Sequence, residues 1–163
     1  MSEIDSRVKE FLSKKRIAVV GVSDRRDTGC NAAYRRFKEA GYEVFAVNPR
    51  IQTFEGDPCY SELKDLPQKP DGVFILASPQ VTQKIVTECV DLGVQHVWMH
   101  CMLGTRPGLA QSMTSVSASA VEMCRQNNIQ VIPGSCPNQF LNPDVGHDVM
   151  RRLWRALGFF RVN

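Results

Sequence analysis

The chain has 163 residues, a net charge of +3 and a hydrophobic content of 43%. That length suits one domain with a packed core and is short for two. The weak charge, with no basic stripe interleaved with aromatics, argues against a nucleic-acid binder, and no apolar run reaches membrane-spanning length.

The N-terminus mixes Glu3, Asp5, Arg7 and Lys9 with scattered apolar residues, unlike a secretory signal or an Arg-rich transit peptide. Six cysteines stand at 30, 59, 89, 101, 124 and 136, without a C-x-x-C pair or a histidine at zinc-ligand spacing. They read as reduced, buried thiols, so the expected location is cytoplasmic.

Ile4, Val8, Phe11 and Leu12 recur at helical spacing and predict a short amphipathic helix. Ile17-Ala18-Val19-Val20 is a buried strand that breaks into Gly21 and a small, charged loop. A helix is expected from about Cys30 to Ala40, ended by Gly41, and a second strand over Glu43–Val47. Gly72–Leu76 is apolar on both faces, as a strand covered by helices on each side should be. Pro79 suits the first turn of the next helix, with Val81, Ile85, Cys89 and Leu92 as its inner stripe and Gly93 its stop.

His96–Met99 is the fourth strand, followed by a loop through Gly104, Pro107 and Gly108. A helix with Met113, Val116, Ala120 and Met123 facing inward comes next, then a fifth strand over Ile129–Ile132. The tail carries a helix near Asp144–Leu157 whose apolar side is Val145, Val149, Leu153 and Trp154. The nearby arginines and aromatics are in the style of a membrane-surface helix, but one clear apolar stripe with only a few charges favours docking on the domain or a second subunit.

Strand–helix alternation of this kind gives parallel βαβ units, hence a three-layer α/β domain with a doubly wound parallel sheet of about five strands and extra terminal helices. The whole chain, 1–163, reads as one domain, with a core over about 10–140 and a helical tail over 141–163. Ligands of such sheets sit at the carboxyl ends of the strands, where the strand order reverses. That edge comprises 21–29, 48–51, 77–80, 100–107 and 133–139.

The loop after Gly21 has two readings. It is either turn geometry that only glycine tolerates freely, or a cradle of backbone N–H groups at a helix start, where phosphate is favoured. Neither G-x-G-x-x-G nor G-K-[ST] is present, so the dinucleotide and P-loop fingerprints are absent. Asn48-Pro49-Arg50 stands where an NAD enzyme places an acid for the ribose hydroxyl. Arg50 there suits a ribose phosphate, carried by both NADP and coenzyme A, although Asn-Pro also builds a plain turn.

Catalytic candidates are thin. His100 and Cys101 are adjacent, and neighbouring strand positions point to opposite faces, so they would not serve one another. Paired carboxylates are missing from the presumed cleft.

Ile17–Ser23, Ala40–Val44, Val47–Arg50, Tyr60-Ser61-Glu62-Leu63 and Ser135-Cys136-Pro137 resemble, in that order, the stand-alone CoA-binding domain proteins. These are similar to the CoA-binding portion of the succinyl-CoA synthetase α subunit. The resemblance implies a Rossmann-like fold with Gly21, Val22, Ser23, Asp24 and Arg25 on the CoA phosphates. Asn48, Pro49 and Arg50 would approach the adenosine and its 3′-phosphate. Ala77, Ser78, Pro79, Met102, Leu103 and Gly104 would line the groove, with Cys136 beneath.

Many relatives have an arginine before the Cys-Pro pair, where this chain has Ser135. The synthetase needs a phosphorylated histidine in a further domain and a partner β subunit, so the resemblance does not imply ligase activity. The expectation is a non-catalytic CoA or acyl-CoA binding module, regulatory or carrier, with a homodimer or protein partner and no metal. The alternatives are an NADP-dependent oxidoreductase and an interaction subunit with a vestigial pocket.

Overall fold

In the computed structural model, residues 2–105 and 114–160 are described. Helix α1 (Glu3–Leu12) is followed by β1 (Arg16–Val20), α2 (Gly29–Glu39), β2 (Glu43–Val47), β3 (Thr53–Phe54), β4 (Asp57–Tyr60) and β5 (Gly72–Ile75). Then come α3 (Pro79–Leu92), β6 (His96–Met99), α4 (Ala118–Gln126), β7 (Gln130–Pro133) and α5 (Val145–Ala156). The strands form one sheet in the order β3-β4-β2-β1-β5-β6-β7. All neighbours are parallel except the β3–β4 hairpin.

The chain winds outward from β1 in both directions, so the strand order reverses between β1 and β5. Alternation along the strands feeds two cores. Ile17, Val19, Phe74, Trp98 and Ile132 face the layer holding Phe11 of α1 and Tyr34 and Phe37 of α2. Ala18, Val20, Val73, Ile75, Val97 and Met99 face Ile85, Val86 and Cys89 of α3 and Ala120 and Cys124 of α4. The first layer is aromatic: Trp98 meets Phe11 edge-on at 5.3 Å between ring centroids and Phe74 at 6.3 Å.

The doubly wound three-layer class stands, with seven strands rather than about five. The extra pair is a short hairpin turned by Glu55 (φ 49°) and Gly56 (φ 85°). Two- and four-residue strands, one of them holding Pro58, are too short to show an alternating pattern.

Three helix expectations need correction. Helix α4 starts only at Ala118, because Ser115 and Ser117 use their hydroxyls otherwise. Ser115 Oγ accepts the amide of Ala77 (3.0 Å), and Ser117 caps the helix through the amide of Ala120 (3.4 Å). Val116 therefore precedes the helix, and Met113, Pro107 and Gly108 lie outside the described residues. On α3, Thr82 rather than Val81 takes the inner row, leaving Val81 40% exposed. On α5, Val145, Val149 and Leu153 point away from the domain, while Met150 and Trp154 turn toward it.

Candidate functional site

Gly21 ends β1 at φ 111°, a conformation that strains any residue with a side chain. A Cβ there would lie 2.0 Å from the carbonyl oxygen of Leu76, so the ends of β1 and β5 touch through backbone. This contact marks the switch point and brings the starts of α2 and α3 together.

Between them opens a cleft of about 580 Å³. Gly29 begins α2 on one side, and Ser78 and Pro79 begin α3 on the other. Leu76, Ala77, Met102 and Met150 make much of the wall apolar, and His100, Thr114, Ser115, Cys136, Asn138 and His147 add polar groups. Two helix N-termini facing one cleft put partial positive charge there.

The loop leading to α2 is held by a residue that sequence reasoning missed. Asn31, 3% exposed, accepts the amide of Ser23 (2.9 Å) and donates to the carbonyls of Ser23 (2.8 Å) and Arg26 (3.3 Å). Thr28 caps α2 by accepting the amide of Asn31 (3.3 Å). The Thr-Gly-Cys-Asn run is the signal: an N-cap followed three residues on by an amide that can reach back.

Of the residues expected from sequence, Ala77, Ser78, Pro79, Met102 and Cys136 line the cleft. Ser23, Asp24 and Arg25 border a separate hollow of about 290 Å³ with Arg35, Phe54 and Glu55. Val22 is buried, and Ser78 spends its hydroxyl capping α3 through the amide of Val81 (3.4 Å). Asn48 donates to the carbonyl of Val22 (2.7 Å) and accepts the amide of Arg50 (2.8 Å), so its amide fastens one rim loop to another. Pro49 and Arg50 stand exposed after β2.

Gly104 serves an anchor rather than the cleft wall. A Cβ on it would lie 2.6 Å from the carbonyl oxygen of Phe159, and the amide of Ser135 donates to its carbonyl (2.9 Å). Leu103, beside it, is half-buried. The tail is tied back further by Trp154, whose Nε1 donates to the carbonyl of Met102 (3.0 Å).

His100 and Cys101 diverge as strand geometry requires: His100 faces the cleft and Cys101 is buried. Burial pulls the His100 pKa down to about 4, so its ring is neutral at pH 7. Burial pushes the Cys136 thiol up to about 11, which leaves it protonated. No group of three His, Cys, Asp or Glu that could hold a metal occurs among the described residues.

The edge expected from sequence takes in Gly29 and Asn138, while Thr114, Ser115, His147 and Met150 lie outside it. Asn138 stands out among these six. It is 3% exposed, lines the cleft, and its Oδ1 has no hydrogen-bond partner. A buried, unpartnered acceptor is costly unless a ligand or water meets it.

A doubly wound sheet with a cleft at its switch point is the architecture of the Rossmann-like α/β domains. Within that class, the chain belongs to the CoA binding domain family, which it matches over residues 15–139. It is 29% identical over 132 residues to the uncharacterized protein YneT of Bacillus subtilis, covering 80% of this chain and 89% of that one. A second relative is an ADP-forming acetate–CoA ligase I of Archaeoglobus fulgidus, 29% identical over 75 residues. That match covers 46% of this chain and 11% of the ligase. Among solved structures, a hypothetical protein from Pyrococcus horikoshii superposes with a TM-score of 0.73 at 22% identity, covering 87% of this chain and 96% of that one. At that identity the likeness concerns the fold. No helix among the described residues is long and apolar enough to cross a membrane.

Proposed function

We propose that this chain binds coenzyme A or an acyl-CoA as a non-catalytic module, regulatory or carrier. The observation that carries this reading is the buried, unpartnered Oδ1 of Asn138 in a largely apolar cleft. A pantetheine arm presents amide N–H donors on an otherwise apolar chain, which matches such a lining. The diphosphate would lie toward the starts of α2 and α3, where partial positive charge converges. Arg50, exposed and without an ion pair among the described residues, would take the ribose 3′-phosphate.

Family membership supports the CoA class. The Cys136 thiol, kept protonated by burial, supports binding over nucleophilic chemistry. Titration calorimetry with CoA, dephospho-CoA and NADPH tests the proposal. CoA is expected to bind, dephospho-CoA more weakly, and NADPH to give no heat. Heat with NADPH alone would move the assignment to an NADP-dependent oxidoreductase, and silence with all three to an interaction subunit.

A further inference from the structure

Helix α5 makes a sharp division between its two faces. His147 and Met150 line the cleft, and Trp154 packs against the aromatic core. The opposite face carries Val145 (82% exposed), Val149 (58%), Leu153 (49%) and Leu157 (52%), the last being the C-cap residue. At 100° per residue, exposed Gly146 and Ala156 fall on the same face. The result is an apolar strip about 18 Å long, at 1.5 Å per residue, with no charged side chain at its centre. Most large apolar side chains exposed among the described residues belong to it; Val81 and Met102 are the others.

The charges beside the strip are arranged unevenly. Asp148 and Arg152 flank one side, with Arg155 next along that edge. Asp148 pairs with Arg151 and with Arg152 (2.8 Å), while the Arg152 side chain remains 78% exposed. Arg155 reaches Asp5 of α1 at 2.7 Å.

We infer that this face is the contact between two copies of the chain, related by a two-fold axis and paired with their α5 helices antiparallel. With the axis passing level with residue 151, Val145 lies opposite Leu157 of the second copy, and Val149 opposite its Leu153. Gly146 lies opposite Ala156, which lets the helices approach closely. Like flanks meet in an antiparallel pair, so Asp148 comes level with Arg152 and Arg155 of the second copy. A parallel pair would instead turn that charged flank toward the opposite one, which carries Met150 and Trp154, and leave Asp148 without the second copy's arginines.

The strip is thus complementary to itself in both apolar pattern and charge, as a two-fold interface requires. A lipid surface would meet the same strip with the anionic Asp148 at its edge, against the preference of such helices. Since the inner face of α5 walls the cleft, pairing also holds one side of the ligand site in place. The association itself does not depend on what the cleft binds.

Sedimentation of the full chain from about 1 μM to about 1 mM should show a mass rising toward twice 18.3 kDa. Leu153→Glu and Val149→Lys, both at exposed positions, should each keep the native circular dichroism and remain monomeric throughout that range. A Gly146→Cys, Ala156→Cys double variant should cross-link into a dimer on mild oxidation, since the native thiols are all buried. Either single cysteine variant should not, because each position faces the other. A monomer at every concentration overturns the inference, as does a dimer that survives both charge substitutions. Cross-linking by Gly146→Cys alone would indicate a parallel pair and overturn the antiparallel geometry. A monomer that binds anionic vesicles through Leu153 assigns the strip to membranes instead.

Discussion

Gly21 presses its Cα against the carbonyl of Leu76, at a distance that leaves no room for a side chain. The two residues directly follow β1 and β5, the strands between which the winding direction changes. Substituting Gly21→Ala therefore adds a Cβ 2.0 Å from a backbone oxygen and forces an alanine to φ 111°. Neither strand can retreat without breaking ladder bonds such as Leu76 N–H to Val20 O at 2.9 Å. Denaturant unfolding should show a loss of at least about 3 kcal/mol, or no folded protein. A variant within about 0.5 kcal/mol of the parent would contradict this contact.

Asn48 and Arg50 share a rim loop and separate its structural and binding roles. Asn48→Ala removes the bonds to Val22 and to the Arg50 amide, and should cost about 1–3 kcal/mol of stability. Arg50 is exposed, so Arg50→Ala should leave stability within about 0.5 kcal/mol. On the proposed function it should weaken CoA by about tenfold or more and dephospho-CoA hardly at all. Equal losses for the two ligands would show that Arg50 does not meet the 3′-phosphate.

The pH dependence of stability should carry the mark of His100. Its folded pKa, about 4, lies below the ordinary value of 6.5, so the unfolded chain binds the proton more readily. Stability should be complete above about pH 6.5 and fall as pH drops toward 4, by about 1.4 kcal/mol per unit at most. His96 is also depressed, by burial and by Lys14, against the opposing pull of Glu10 and Asp71, and contributes in the same direction. Comparing unfolding at pH 7 and pH 5 for the parent, His100→Gln and His96→Gln divides the two. A slope unchanged in His100→Gln would mean that the ring titrates alike in the folded and unfolded chain.

The parallel sheet was readable because its strands are apolar on both faces and its helices announce their ends. Pro79 and Gly93 bracket α3 as their chemistry requires. The β3–β4 hairpin escaped because strands of two and four residues hold too few side chains for a period. The direction of α5 escaped for a different reason. Its apolar stripe is real, but Trp154, Met150 and the bond from Trp154 to Met102 pull the other face inward. In the cleft, the loop glycine and prolines advertise themselves as turn-formers. Asn31 and Asn138 do not, since an asparagine's role depends on which buried groups the fold sets beside it.

Asn138 and Gln139 offer a paired test of that last point. Both are buried, and both have side-chain atoms without partners: Oδ1 of Asn138, and Oε1 and Nε2 of Gln139. Only Asn138 borders the cleft. Gln139 pays a desolvation cost with no compensating bond, so Gln139→Met, close in shape, should raise stability by about 1–3 kcal/mol and leave CoA affinity unchanged. Asn138→Leu should leave stability within about 1 kcal/mol, since an orphaned acceptor is also removed, yet weaken CoA by about tenfold. Unfolding curves and calorimetry on the two variants together make the comparison. If Gln139→Met loses stability, a buried water bonds that amide, and if Asn138→Leu binds CoA unchanged, its carbonyl does not face the ligand.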